Sequence, residues 1–116
     1  MPLILHITRR EAWEAAQPVG VYRPASLDAE DFIHLSTVSQ IVGTANRFFR
    51  GPADDLVLLL IDPDRLRAEV RYEPADGQLF PHLYGPLNTD AVTRVLPFAP
   101  QADGTFTLPP ELAGAA

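Results

Sequence analysis

Residues 55–62, DLVLLLID, carry six consecutive apolar side chains, Leu56 to Ile61, between acidic ends. The run is short for a helix, and it has no polar alternation that would give it a solvent face. It suits a strand covered on both sides, at the centre of a sheet. Pro63-Asp64 then turns the chain. Working back from this strand, residues 3–8 (LILHIT) alternate as another, with Leu3, Leu5 and Ile7 opposite Ile4, His6 and Thr8. Residues 9–17 (RREAWEAAQ) predict a short helix with a Thr8/Glu11 capping box and Pro18 and Gly20 at its end. Trp13 and Ala16 form its docking face. Residues 18–31, with Pro, Gly and Ser, predict a loop, and 32–36 (FIHLS) a strand. Thr37 and Gln40 repeat the capping-box spacing before a helix carrying Val38, Ile41, Val42, Ala45, Phe48 and Phe49, ended by Gly51-Pro52.

Working forward, residues 68–73 (AEVRYE) predict a strand and 74–78 (PADGQ) a turn. Residues 79–84 (LFPHLY) predict a strand in which Pro81 argues for an edge or entry position. After Gly85-Pro86, residues 91–98 (AVTRVLPF) give the last strand, preceded by a helical turn at Thr89. The fold class is α+β. Residues 1–98 read as a single domain, and 99–116 as a Pro/Ala/Gly-rich C-terminal tail, partly packed and frayed at its end.

The 116 residues suffice for one core, and 47% hydrophobic with 21% charged residues is globular usage. The net charge is −6, and all nine cationic residues are Arg. This balance repels phosphate backbones and argues against nucleic acid as a partner. With no Cys there is no disulfide scaffold, thiolate nucleophile or Cys-ligated zinc. No apolar run approaches the roughly 20 residues of a membrane span, and Met1-Pro2-Leu3 lacks a basic leader. The expectation is a cytoplasmic protein without membrane partners. Glycine-rich phosphate loops, G-x-S-x-G, H-E-x-x-H and EF-hand patterns are all absent.

One internal pattern involves all three histidines: His6-Ile7-Thr8, His34-Leu35-Ser36 and His82-Leu83-Tyr84. On a strand, two-residue spacing puts each imidazole on the same face as its hydroxyl partner. Imidazoles and hydroxyls both donate and accept, which suits sugar or ribose recognition, and imidazole also exchanges protons near pH 7. Each of these residues also has a plainer reading. Thr8, Ser36 and Thr37 could be helix caps, Glu73 with Arg71 a solvated strand end, Tyr84 and Trp13 packing aromatics, and a lone strand histidine structural. Three histidines in one local context favour a shared site. The expectation is that His6, His34 and His82 line one wall of a cleft, near Thr8 and Ser36, while Leu5, Ile7, Ile33 and Leu35 enter a core. Two alternatives stand beside it: a three-His metal-dependent site, and a non-catalytic ligand sensor. A strand edge at 79–84 offers a surface for a homodimer.

The segments LHIT, FIHLST with Gln40, LLLID, VRYE and FPHLYGPL, in this order over residues 3 to about 98, resemble the DUF952 family of small bacterial proteins. The resemblance implies a fold similar to ADP-ribosyltransferases: a split, curved β-sheet with helices packed around it and an NAD-type cleft. It implies a small-molecule ligand, with NAD as candidate substrate, and a transferase of the ADP-ribosyl or phospho type. Carried over, His6 and Thr8 would hold ribose hydroxyls and His34 would orient or stack on the base. Glu73 or His82 would stabilise the sugar cation or take a proton. The late strand departs from that pattern, offering His82 and Tyr84 where an acidic residue is usual. The candidate catalytic residues are thus His34, Glu73 and His82. The candidate ligand-binding residues are His6, Thr8, Ser36, Thr37 and Tyr84, with no metal assigned.

Overall fold

The central strand is where the apolar run places it. In the computed structural model, which describes residues 3–49 and 55–113, β5 (Leu56–Ile61) is buried along its whole length. It lies between β1 (Ile4–Arg9) and β9 (Val92–Pro97), antiparallel to both. Its side chains divide by parity. Val57, Leu59 and Ile61 enter one core with Ile4, Trp13, Ile33, Leu35, Leu83 and Leu87. Leu56, Leu58 and Leu60 enter a second core with Leu5, Ile7, Ile41, Ala45, Leu96 and Phe98. Leu5 and Ile7 thus lie across the sheet from Ile33 and Leu35.

Among the described residues there are three antiparallel sheets and three α-helices. The four-stranded sheet has the order β4-β1-β5-β9, with β4 at Ser36–Thr37. The three-stranded sheet has the order β3-β7-β6, formed by Ile33–His34, Gln78–Tyr84 and Glu69–Ala75. A two-stranded ribbon pairs β2 (Val21–Tyr22) with β8 (Leu87–Asn88). The helices are α1 (Arg10–Ala16), α2 (Ala25–Glu30) and α3 (Ile41–Phe48). No helix of the described residues is long and apolar enough to cross a membrane.

Several expectations are corrected. Thr8 does not cap α1: β1 continues to Arg9, which holds the N-cap position, and the Thr8 hydroxyl lies 2.8 Å from the Tyr22 hydroxyl. Residues 18–31 are not a loop. They contain β2 and α2, the latter entered after Pro24 and left at Asp31 in the left-handed conformation (φ 70°). Six residues are too few for an apolar period to show in the sequence. The strand expected over 32–36 breaks at Leu35, and its halves join different sheets. The Thr37/Gln40 box is half made. The Thr37 backbone N–H donates to Gln40 Oε1, its hydroxyl turns to Ser39, and α3 begins only at Ile41. Gly51-Pro52 lies outside the described residues, as do the last three of the chain.

Pro81 is not at an edge: β7 runs between β3 and β6. The Leu35 N–H donates to the Pro81 carbonyl, so Pro81 faces β3, which has already ended. Pro81 is therefore a non-hydrogen-bonded partner of Tyr72 on β6, and Pro74 opposite Leu79 has the same parity. Neither proline removes a bond from the β6–β7 ladder. The hairpin closes on Asp76-Gly77, both with positive φ, the geometry such two-residue turns require. The tail returns to the sheet, and Phe106 and Leu112 are buried in the second core.

Candidate functional site

The chain from β3 to β4 crosses from one sheet to the other, and a cleft of about 550 Å³ opens beside the crossing. His6, His34 and His82 all line it, from β1, β3 and β7. His34 and His82 are cross-strand partners with ring centroids 5.6 Å apart. Phe32 packs against both, stacked on His82 at 4.1 Å and edge-on to His34 at 4.9 Å. Each of these two imidazoles is held by a carboxylate. His34 Nε2 is 2.5 Å from Glu30 Oε2, and His82 Nδ1 is 2.8 Å from Glu73 Oε1. The Tyr84 hydroxyl donates to the same Glu73 oxygen, and the Arg71 guanidinium lies over the Tyr84 ring. The Tyr84 and His82 bonds, in that order, hold the Glu73 carboxyl below the usual range, while the carboxylate pushes the Tyr84 hydroxyl up.

His82 is 7% exposed, and its Nε2 has no partner among the described residues although the ring lines the cleft. No side-chain nitrogen or oxygen of the described residues is both fully buried and unpartnered, so this nitrogen is open to the cleft, where water or a ligand can meet it.

His6 differs from the other two. Its Nδ1 is 2.8 Å from the His34 carbonyl, where it can only donate, and its Nε2 is 2.9 Å from the Tyr22 hydroxyl. Leu35 N–H points to β7, so the His34 carbonyl points away from it, and the His6 imidazole supplies the donor that a continuing strand would have given. Burial lowers the His6 pKa from 6.5 to about 4, against the opposing effect of the His34 carbonyl. Both nitrogens are thus engaged by the protein. Among the described residues no group of three or more His, Asp or Glu is placed to hold a metal ion.

The remaining candidates are spread unevenly. Ser36 is buried, lines the cleft and lies 3.1 Å from the Thr44 hydroxyl. Thr8 lines a separate shallow depression with Tyr22, behind His6. Thr37 is outside the cleft lining, and Glu73 and Tyr84 stand behind His82. The sequence reading missed Glu30, Phe32, Tyr22, Thr44 and Phe80. Glu30 lies four residues before His34, and that spacing on a recognised helix end would have been the signal.

The rest of the wall is aromatic and aliphatic, including Phe48, Phe49, Pro74 and Phe80. No Arg is found among the described lining residues. The β6–β7 hairpin is fastened across the mouth to both ends of α3. Gln40 Nε2 donates to the Leu79 carbonyl at 2.8 Å, and Arg47 pairs with Asp76 at 2.9 Å. Apolar walls with a few convergent polar groups suit a small planar ligand.

The crystal structure of protein CC0527 from Caulobacter crescentus is similar to this chain, with TM-score 0.85 and 40% identity over 96% of this chain and 98% of that one. The solution structure of the same protein gives TM-score 0.81 and 40% identity over 97% and 98%. No curated protein matches the chain. Residues 7–95 match the family described as protein of unknown function (DUF952). That match spans most of the chain, including His34 and His82 but not His6, and the chain belongs to the DUF952 family.

Proposed function

We propose that the cleft binds a nucleoside-like small molecule, a planar ring bearing hydroxyl groups, of which the nicotinamide-ribose end of NAD is one form. The observation that supports this most is the pairing of His34 and His82 on adjacent strands around Phe32, in a cleft with aromatic walls. Rings stack on such walls, while imidazoles and the Ser36/Thr44 hydroxyls meet polar groups. The carboxylates of Glu30, Glu73 and Asp76 around the site disfavour a diphosphate, so the recognised part is the nucleoside end. In this reading His34 and His82 touch the ligand, and His6 positions His34 through its carbonyl. Transfer of an ADP-ribosyl group is the further activity that the family resemblance suggests for such a ligand.

Calorimetry with nicotinamide riboside, adenosine, NAD and ADP-ribose tests the proposal. The expected result is binding of the nucleosides at or below millimolar concentration, weakened at least tenfold in His34→Ala. That substitution leaves the apolar core intact, so the fold should survive it. No binding of any of the four by the folded protein overturns the proposal.

A further inference from the structure

We propose that His82 is the general base of a hydrolytic reaction at this cleft, acting on a small ester with an aromatic or nucleobase-like group. The inference rests on the ligand reading above for the location and ring preference of the substrate. Its own grounds are different. Glu73 accepts from His82 Nδ1, which fixes the proton there and leaves a lone pair on Nε2. Tyr84 donates to the same carboxylate oxygen and so fixes Glu73 in turn. Phe32 stacks on the imidazole face and holds its plane. The ring is buried, yet Nε2 lacks a protein partner among the described residues and lies at the cleft wall. A carboxylate that orients an imidazole, whose far nitrogen reaches an apolar cleft, has the geometry of an acid–base group awaiting a proton.

His34 completes the arrangement. It meets Glu30 through Nε2, so the nitrogen left over is Nδ1, the opposite choice to His82. Its side chain is 56% exposed. In the step, His82 Nε2 takes a proton from water as the water oxygen bonds to the ester carbonyl carbon. The carbon–oxygen bond to the leaving group then breaks, and that oxygen leaves with the electron pair. It takes a proton from the His34 imidazolium or from solvent. The His82 imidazolium returns its proton to solvent, and the products are an acid and an alcohol or phenol. Glu73 is a positioning residue here, since it acts through His82.

4-Nitrophenyl acetate is a suitable probe, with an aromatic leaving group for the Phe32 and Phe80 wall. Saturable hydrolysis is expected, at least a hundredfold slower in His82→Gln. Glu73→Gln should lower kcat about tenfold with KM unchanged, whereas Phe80→Leu, on the cleft wall, should act mainly on KM. Nitrogen-15 NMR of the unsubstituted protein provides a reading independent of variant folding: His82 should carry its proton on Nδ1. Hydrolysis no faster than in folded His82→Gln, or a proton on Nε2, overturns the inference. Nucleoside binding without hydrolysis sinks this step and leaves the ligand reading intact. Hydrolysis without nucleoside binding supports the step and sinks that reading.

Discussion

His6 and His82 follow the same sequence pattern, and the structure uses them in opposite ways. One imidazole has both nitrogens engaged by protein, the other only one. For His6 this has a consequence in pH. Unfolded His6 takes up a proton near pH 6.5, and folded His6 only near pH 4. Between those values the unfolded chain binds more protons, so falling pH favours unfolding. The contribution is fully present above about pH 6.5 and gone below about pH 4, up to roughly 3 kcal/mol. Urea unfolding at pH 7 and pH 4.5 should show this loss, reduced in His6→Gln; an equal loss in both proteins would show that His6 is not its source. The two-residue alternation that pairs each histidine with a hydroxyl is legible in the sequence. The partner of each nitrogen is not, because Tyr22, Glu30 and Glu73 reach the histidines from other elements.

At the level of elements, the turn after β7 illustrates how a backbone position constrains the site. A Cβ on Gly85 would lie 2.7 Å from Ala68 Cβ, closer than two carbons approach, and φ is +156°. Gly85→Ala should destabilise the protein by about 1–3 kcal/mol, read from thermal unfolding. It should also disturb Tyr84 and through it Glu73, which can be followed in the His82 NMR signals. An unchanged Tm would mean that Ala68 yields freely. The fully apolar β5, the alternating β1 and the Asp76-Gly77 hairpin are legible because each repeats a local rule over several residues. The short α2 and the break at Leu35 are set by contacts instead: Leu35 bonds to β7 while Ser36 pairs with β1. Glu30 reaches His34 only because α2 brings it there, whereas Phe32, two residues before His34, shares its face by the strand alternation.

Across the whole molecule, β5 needs both of its faces covered, and the tail supplies part of one cover. Phe106 and Leu112 are almost fully buried against Phe98 and the second core. Burying each is worth about 1.5–3 kcal/mol. Ending the chain after Phe98 should therefore leave a poorly folded protein that binds hydrophobic dyes, although the family match already stops at residue 95. Full solubility and an unchanged Tm would show that the tail is dispensable. The antiparallel pairing of β1 with β5 has a different consequence, in time. Ile4 pairs with Ile61, and Arg9 with Leu56. At about 5–20 residues per second of synthesis, β1 leaves the ribosome several seconds before its main partner exists. During that interval the only strand partner that emerges for β1 is the two-residue β4, opposite Ile4 and Leu5. The β6–β7 hairpin, whose strands are adjacent in the chain, can close as soon as it emerges. The birth order of the chain thus leaves its first strand waiting longest, and a chaperone that shields nascent apolar segments would find its target within the first ten residues.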